Sequence, residues 1–456
     1  MKIDLLVAEI GSTTTVVNAF DDFDHCPKFI GQGQAATSVL EGDVNIGLKS
    51  AIEDLGKNLG ATDIDYKDLL ATSSAAGGLR MTVHGLVYDM TVKAAKEAAL
   101  GAGANIKFIT AGKLRKSDLN KINDINPNII LIAGGVDYGE RDTALHNAEL
   151  IAELDLNVPV IYAGNIENHE EVKEIFANKN IELYIVDNVY PKIDELNIEP
   201  TRRVIQKVFE KHIIHAPGME NVRELVTGSI MPTPGAVMES SELLYNSIGD
   251  IITIDVGGAT TDIHSVSEDS DEISRILMNP EPKAKRTVEG DLGVYVNMQN
   301  IVESIGKEEL SKELNIPLEE LENIIFNHKP IPETALEKQF VEVLTLYATI
   351  TAMGRHAGKL KHLYGPSGKK TIAEGKDLTQ VKYIIGTGGA LSRLPNRKAI
   401  LRNIALSNKG NDLLPNKEAE ILIDNDYIMA SLGVMSKKYP EQALKLLKNS
   451  LEHENN

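Results

Sequence analysis

The chain has 456 residues, carries a formal net charge of −19, and is 42% hydrophobic by residue count. This length predicts two domains of roughly 200 residues each rather than one compact core. The acidic excess argues against nucleic acid as a partner. The single cysteine, Cys26, cannot form an internal disulfide and is typical of a reducing cytoplasm. No apolar run approaches the roughly 18 residues of a membrane span, so we expect no membrane partner and a cytoplasmic location.

The first predicted element is a hairpin close to the N-terminus. Residues 7–17 read VAEIGSTTTVV, in which an apolar run reaches Glu9, a turn with Gly11 follows, and hydroxyl residues precede a β-branched strand. A glycine turn lets backbone N–H groups approach an anion, and a carboxylate holds the water shell of a metal ion. We expect Glu9 to hold that shell, and the turn residues to hold phosphate oxygens. These turn residues are Gly11, Ser12, Thr13 and Thr14.

Strands and helices alternate in the next part of the chain. After an amphipathic helix at 42–58 and a strand at 69–73, four short apolar runs occur at 106–110, 129–133, 158–163 and 181–186, with helical segments between them. This alternation predicts right-handed βαβ units and a parallel sheet over about 105–190. The loop AGGVDYG at 133–139 follows the carboxyl end of a predicted strand, where α/β sheets bind ligands. It is either a second small-molecule site or a tight turn without a ligand.

A second copy of the hairpin pattern lies in the other half of the chain. Residues 251–263 read IITIDVGGATTDI: a strand reaches Asp255, a glycine turn follows, and hydroxyl residues lead into a return strand. Alone, this pattern also suits an ordinary β-hairpin. Its recurrence favours two similar domains that serve one phosphate group. We expect Asp255 to hold the metal's water shell. The residues expected to hold phosphate are Gly257, Gly258, Ala259, Thr260, Thr261 and Asp262.

Two further segments complete the candidate site. The segment TVEGDLG at 287–293 contains Glu289, Gly290 and Asp291, and its turn would open a helix at 294–305 with Asp291 near the helix N-terminus. A strand at 383–387 then runs into a glycine turn and a short helix at 390–394. Its glycines allow the backbone to pass close to a base and a ribose. The residues concerned are Gly386, Gly388, Gly389 and Ala390.

The three motifs at 9–15, 255–262 and 386–389, in this order, resemble those of the actin, Hsp70 and sugar-kinase superfamily of ATPases. The resemblance implies an α/β fold of two actin-like (ribonuclease H-like) domains around a nucleotide cleft, with ATP and Mg²⁺ as cofactors. It implies that Glu9 orients the metal's water shell or the attacking water. It also implies that Glu289 or Asp291 contacts ribose or metal, as the alternative to a capping role alone for Asp291. It predicts a first domain at 1–215 that includes the parallel elaboration, and a second at 216–456 with a helical insertion at about 306–365. The first motif departs from the superfamily pattern, because Glu9 stands where an aspartate is usual.

Within this superfamily the chain resembles the glutamate mutase L family, also called MutL or GlmL, over 7–15, 130–139, 253–262, 287–293 and 386–390. That resemblance implies an ATP-driven reactivating factor, a chaperone that exchanges damaged cobalamin in an adenosylcobalamin-dependent mutase or aminomutase. Two alternatives stay open. One is a small-molecule kinase of the sugar-kinase type, in which Asp255 or Asp262 acts as a base, and the other is an actin-like scaffold protein.

Overall fold

The computed structural model describes residues 1–11, 14–38, 42–74, 78–154, 156–179, 181–213, 219, 221–365, 368–408 and 410–452. Contacts divide the chain into two compact units. The first comprises Met1–Ser240 and Ala430–Leu446, and the second comprises Ser241–Met429 and Leu447–Asn456. The boundary between these contact units follows Ser240, whereas the division into domains at residue 215 stays a prediction.

The elements up to residue 248 are, in chain order, β1 (Lys2–Ile10), β2 (Thr14–Asp21), β3 (Lys28–Ala36), α1 (Val44–Asn58), β4 (Asp65–Ser73), β5 (Leu79–Gly85), α2 (Lys93–Gly101), β6 (Ala104–Ala111), α3 (Lys116–Ile125), β7 (Ile129–Ile132), α4 (Asp142–Ala152), β8 (Val160–Tyr162), α5 (His169–Ala177), β9 (Leu183–Ile185), α6 (Glu199–His212), β10 (Ile230–Pro232) and α7 (Thr233–Ile248). They form two five-stranded sheets. The first has the order β3-β2-β1-β4-β10, in which only β2 is antiparallel to its neighbours.

The second sheet has the order β6-β5-β7-β8-β9 and is parallel throughout. The predicted parallel elaboration is therefore confirmed, since the four apolar runs correspond to β6, β7, β8 and β9. Strand β5 was not predicted, because Arg80, Thr82 and His84 interrupt its apolar pattern. Thr82 and His84 are nevertheless buried, and they satisfy each other through a 3.0 Å hydrogen bond between Oγ1 and Nε2.

The remaining elements are β11 (Ile251–Val256), β12 (Thr261–Val266), α8 (Asp271–Ser274), β13 (Ala284–Glu289), α9 (Met298–Ile305), α10 (Lys307–Leu314), α11 (Leu318–Phe326), α12 (Ala335–His356), β14 (Lys359–Gly365), β15 (Gly368–Glu374), β16 (Tyr383–Thr387), α13 (Gly388–Arg393), α14 (Arg397–Leu406), β17 (Glu420–Ile423), α15 (Met429–Met435) and α16 (Pro440–Glu452). The sheet of the second unit has the order β13-β12-β11-β16-β17, with only β12 antiparallel. Each unit thus repeats one sheet plan. The predicted α/β fold of two actin-like domains with an added parallel sheet is confirmed.

One segment of the second unit differs from its prediction. The sequence of this segment predicts one long helix over 339–360 and a basic loop over 366–376. Helix α12 ends at His356, and β14 pairs with β15 as an antiparallel hairpin. The turn away from the helix is fixed by Gly358, whose N–H donates to the carbonyl of Lys376 at 2.7 Å. A Cβ on Gly358 would lie 2.6 Å from the carbonyl carbon of Gly375, so the two strands meet at a contact that only glycine allows.

Among the described residues, no helix combines the length and the apolar character that crossing a bilayer requires.

Candidate functional site

The hairpin of the second unit places its turn at the surface. Strands β11 and β12 pair with Asp255 opposite Asp262, and the N–H of Gly257 closes the turn by donating to the carbonyl of Thr260 at 2.9 Å. Gly258 and Ala259 are exposed, and their N–H groups have no acceptor among the residues that the structure describes. Exposed N–H groups in a tight turn are suited to an anion.

The turn is held in place by the segment that follows β13. The N–H of Tyr295 donates to the carbonyl of Gly258 at 2.9 Å, and the N–H of Val296 donates to the same oxygen at 2.7 Å. A Cβ on Gly293 would lie 2.3 Å from the carbonyl carbon of Ala259. The close backbone contact explains the glycine at 293, and it makes the turn a rigid part of the unit.

The carboxylate of Asp255 is packed against the glycine turn at the end of β16. Strands β11 and β16 are parallel, with Asp255 opposite Thr387. The next residue, Gly388, has a φ of +82°, and a Cβ there would lie 2.4 Å from Asp255 Oδ1 and 2.6 Å from the Val256 carbonyl oxygen. Two of the motifs found in the sequence are therefore in contact within this unit.

The hydroxyl of Thr387 anchors the same turn from beneath. It donates to Oδ2 of Asp424 at 2.9 Å, and the buried Asp424 also accepts hydrogen bonds from the N–H of Met429 and the hydroxyl of Ser450. Neither Thr387 nor Asp424 was identified from the sequence. Their contacts support the glycine turn without adding a charge at its surface.

Asp262 has a partner within the sheet. Nε of Arg286 donates to its Oδ1 at 2.9 Å, and the hydroxyl of Thr260 donates to its Oδ2 at 2.8 Å. Arg286 and Asp262 are both buried, so the pair is a structural ion pair of the kind whose disruption destabilises a protein strongly. The hydroxyl of Thr261 is also engaged, donating to the Leu292 carbonyl at 2.7 Å. Arg286 was not identified from the sequence, because it belongs to no recognisable motif that would link it to Asp262.

Glu289 and Asp291 share one guanidinium. Nη1 of Arg355 donates to Glu289 Oε2 at 2.6 Å and to Asp291 Oδ1 at 2.7 Å, while Nη2 donates to Asp291 Oδ2 at 2.9 Å. The hydrogen bond from Arg355 lowers the pKa of Asp291. The predicted capping role of Asp291 is wrong, because α9 begins at Met298 with Asn297 at its N-cap. Arg355 was missed because it lies in α12, far along the chain.

The hairpin of the first unit repeats the turn closure of the second. The N–H of Gly11 donates to the carbonyl of Thr14 at 3.0 Å, as Gly257 does to Thr260. The predicted phosphate residues Ser12 and Thr13 lie outside the described residues. Glu9 is near the end of β1, opposite Val16 of β2. The two predicted acids therefore occupy matching places, each one residue before the end of the first strand of its sheet.

Glu9 is oriented by a polar network. Its Oε1 accepts a hydrogen bond from the Ser431 hydroxyl at 2.6 Å and one from Asn18 Nδ2 at 3.3 Å. Asn18 Oδ1 accepts in turn from Gln32 Nε2 at 2.9 Å. Asn18 and Ser431 are fully buried, so the carboxylate is held by groups that water does not replace.

Ser431 reaches Glu9 because α15 packs very closely in the first unit. A Cβ on Gly433 would lie 1.8 Å from the carbonyl oxygen of Ala236, a contact that only glycine allows. The small residues Ala430, Ser431 and Gly433 are the signal in the sequence for close helix packing. It did not indicate that one member would contact Glu9, which is more than 400 residues earlier.

The acids suit a metal that keeps most of its water. Among the described residues, no group of three or more His, Cys, Asp and Glu side chains forms a preformed metal cluster. Magnesium is usually bound through one or two carboxylates, several waters and the phosphates of a substrate, and it needs no such cluster. Asp255 beside an exposed glycine turn therefore fits Mg²⁺ that arrives with a phosphate ligand.

Comparisons with known proteins cover nearly the whole chain. The family model described as "MutL protein" matches residues 5–451. Protein MutL of Clostridium tetanomorphum is 36% identical over an alignment of 462 residues, and the match covers 98% of this chain and 98% of that protein.

Solved structures give a more distant likeness. A nucleotide-free acetone carboxylase is 12% identical over 95% of this chain and 70% of its own, with a TM-score of 0.41. Xylulose kinase from Bifidobacterium adolescentis is 14% identical over 98% and 93%, with a TM-score of 0.33. A glycerol dehydratase reactivase is 11% identical over 95% and 99%, with a TM-score of 0.30. At these scores no activity of those proteins extends to this chain.

Proposed function

This chain belongs to the MutL protein family, and on that premise we propose that it binds and hydrolyses ATP to reactivate an adenosylcobalamin-dependent mutase or aminomutase. The observation that carries the proposal is the repeated hairpin. In both units an acid stands one residue before the end of the first strand, and a turn of the same closure follows. One such hairpin suits any sheet, but two in equivalent places favour a shared task.

The groups that would hold the cofactor come from both hairpins and the glycine turn. Asp255 would hold the water shell of Mg²⁺, and Glu9 would orient that shell or the attacking water. The exposed N–H groups of Gly258 and Ala259 would bind phosphate oxygens, while Gly388 and Gly389 would border the adenosine. When bound, ATP·Mg²⁺ supplies a phosphoryl group for transfer to water, a reaction governed by positioning and charge stabilisation.

The functional consequence proposed for hydrolysis is a change of conformation. Nucleotide-dependent closure of domains is a common switch, and loss of the γ-phosphate removes contacts that hold one state. In a reactivating factor this change would release damaged cobalamin from the client enzyme. The kinase alternative needs a carboxylate base, and one of its two candidates, Asp262, is already held by Arg286 and Thr260.

Asp255→Asn tests the nucleotide part of the proposal. The substitution removes the charge but keeps nearly the same volume, so we expect ATP turnover to fall by on the order of 10² or more while the fold is retained. Turnover is measured at steady state, and ATP·Mg²⁺ binding by calorimetry. Asp271→Asn is the matched control, because Asp271 is an exposed aspartate of the same unit on the short helix α8. Equal turnover in the parent and Asp255→Asn would refute the assignment.

The client part needs a separate assay. A glutamate mutase holoenzyme with photolysed cobalamin is incubated with the chain, intact adenosylcobalamin and ATP, and mutase activity is followed. Recovery that requires both ATP and Asp255 supports reactivation. If ATP is hydrolysed but mutase activity does not recover, the chain is an ATPase that does not reactivate this mutase. Phosphorylation of an added sugar would favour the kinase alternative.

A further inference from the structure

The parallel sheet of the first unit has a strand order with a known consequence. Counted within that sheet, β6-β5-β7-β8-β9 is the order 2-1-3-4-5, so the connections after its first and third strands diverge. In sheets of this kind the recognition surface lies outside the carboxyl ends of the strands, at this divergence. Here those ends are followed by the loops after β5 and β7.

Large apolar side chains are exposed along this edge. Tyr138 follows β7 and is 78% exposed, and Tyr88 follows β5 and is 61% exposed. The others follow β5, β8 and β9: Val87 at 43%, Ile166 at 47% and Ile193 at 69%. We call these five residues the edge patch. Exposed apolar groups gathered in one place mark interaction sites, whereas scattered ones need no explanation.

Two hydrogen bonds and one close approach join the loops that carry the edge patch. Oδ1 of Asp137, next to Tyr138, accepts from the N–H of Ile166 at 3.1 Å. The N–H of Asp137 donates to the carbonyl of Pro191 at 2.9 Å, which brings in the loop that carries Ile193. A Cβ on Gly134 would lie 3.6 Å from that of Leu86, beside Val87. The loops after β5, β7, β8 and β9 therefore meet.

The backbone presents the two tyrosines in unusual conformations. Tyr138 has a φ of +61°, a left-handed conformation that is strained for a bulky side chain. Its N–H is fixed by Asn165 Oδ1 at 3.2 Å. Tyr88 begins a π-helical turn that runs to Val92, a feature found frequently at functional sites. Rigid, exposed aromatic groups are typical anchors of protein interfaces.

The charges around the edge patch identify the kind of partner. Exposed carboxylates surround it, namely Asp89, Glu167, Asp187 and Asp194. On the loops after β7 and β9, Arg141 pairs with Glu171 and Lys192 with Glu195. The exposed cations Lys113, Arg115 and Lys116 follow β6, whose loop carries none of the five residues. Two edge patches brought face to face would oppose like charges, and an anionic membrane or a nucleic acid would meet the same carboxylates. A protein surface with an apolar centre and a basic rim is complementary.

We infer that the edge patch is the surface by which this chain docks on its client enzyme. This inference rests on the proposed function for the client's identity. The edge patch is separate in sequence from both carboxylate hairpins and the glycine turn. The chain can therefore hold a partner at the edge patch while ATP is hydrolysed at the nucleotide site, because hydrolysis need not alter the edge patch.

The test measures binding of the full chain to an immobilised glutamate mutase holoenzyme with photolysed cobalamin, in the presence of ATP, ADP or no nucleotide. The variant Tyr88→Ser/Tyr138→Gly removes both rings and relieves the left-handed backbone at 138. Glu167→Lys reverses one charge of the rim and leaves both rings in place. The control is Phe326→Ser on α11 of the second unit, which removes an aromatic ring that is 87% exposed outside the edge patch.

We expect at least tenfold weaker binding for the double variant, mainly through faster dissociation, and unchanged basal ATP hydrolysis. Glu167→Lys should weaken binding at low salt, and parent affinity should fall as salt rises. Parent-like binding by both variants overturns the docking surface but leaves the proposed function intact. If the double variant does not fold, Glu167→Lys decides by the same criterion. If the parent chain fails to bind the mutase with ATP, with ADP and without nucleotide, both proposals are overturned. If the chain instead self-associates through the edge patch and the variants abolish that self-association, the client enzyme is not the occupant of the edge patch.

Discussion

Gly388→Ala isolates the contact between the glycine turn and Asp255. The new Cβ would lie 2.4 Å from Asp255 Oδ1, 2.6 Å from the carbonyl oxygen of Val256 and 2.7 Å from its nitrogen. Ordinary contacts between such atoms begin near 3.4 Å, so the carboxylate or the end of β16 must move by about 1 Å. Two of the three neighbours are backbone atoms in a central strand, which leaves the Asp255 side chain as the part that yields.

Two costs add in this variant. Alanine at a φ of +82° costs about 1–2 kcal/mol relative to glycine, and forcing extra volume into a packed site costs about 1–3 kcal/mol. We therefore expect a loss of about 2–5 kcal/mol in the free energy of unfolding of the second unit. Because a displacement of about 1 Å at a catalytic group costs on the order of 10² in rate, ATP turnover should fall by a comparable factor.

Gly389→Ala is the matched control for stability. A Cβ on the neighbouring Gly389 meets no atom within 4 Å, and no left-handed φ is required there. Alanine within a helix is expected to stabilise by about 0.5–1 kcal/mol. Urea unfolding of both variants, followed by steady-state ATP turnover of whichever is folded, gives the comparison. Equal unfolding midpoints for the two variants would refute the steric argument.

Two other predictions concern Glu9 and the buried histidine of the second unit. Glu9→Gln should lower ATP turnover by on the order of 10². Ser431→Ala should lower it by about tenfold, because Glu9 loses one orienting hydrogen bond. If Glu9→Gln keeps ATP turnover within about threefold of the parent, Glu9 has no role in hydrolysis. Burial, aided by the Arg286 guanidinium, lowers the pKa of His264 to about 3. The folded state therefore stays neutral where the unfolded state gains a proton, and stability falls as pH drops below about 6.5 towards 3. His264→Leu should remove about 2 kcal/mol of the stability loss between pH 7.5 and 5, measured by urea unfolding, and parallel pH profiles for parent and variant would contradict this.

The elements of the site could be predicted because their signals are local. The run from Ile251 to Val256 is apolar and β-branched, and the glycine turn after it has few alternatives. Repetition of the pattern at Glu9 then indicated two related units. The confirmed α/β fold follows from this duplication and from the alternation of strands and helices over 105–190.

The partners of the site residues could not be predicted, because each lies far away in the chain. Arg286, Arg355 and Ser431 carry no signature of the carboxylates they contact, and only the packing of strands and helices in the folded chain brings each one to its partner. The same reason explains β14 and β15. The lysines of these two strands are as compatible with an exposed loop as with a hairpin. The backbone pairing between the two strands, which the sequence does not reveal, is what makes the segment a hairpin. The roles of Glu9 and Asp255 in hydrolysis stay predictions.

The split of the first unit between the two ends of the chain matters for synthesis on the ribosome. Residues 1–240 emerge early, but the helix that supplies Ser431 and the segment with Lys438 and Tyr439, which both hydrogen-bond Asp68, are translated only after residues 241–429. Until then, Glu9 and Asp68 lack these partners. The nascent first unit must wait until residues 241–429 of the second unit have been made, and only then can Ser431 contact Glu9. An early stop codon anywhere before residue 431 would leave Glu9 without its serine, however intact the hairpin itself.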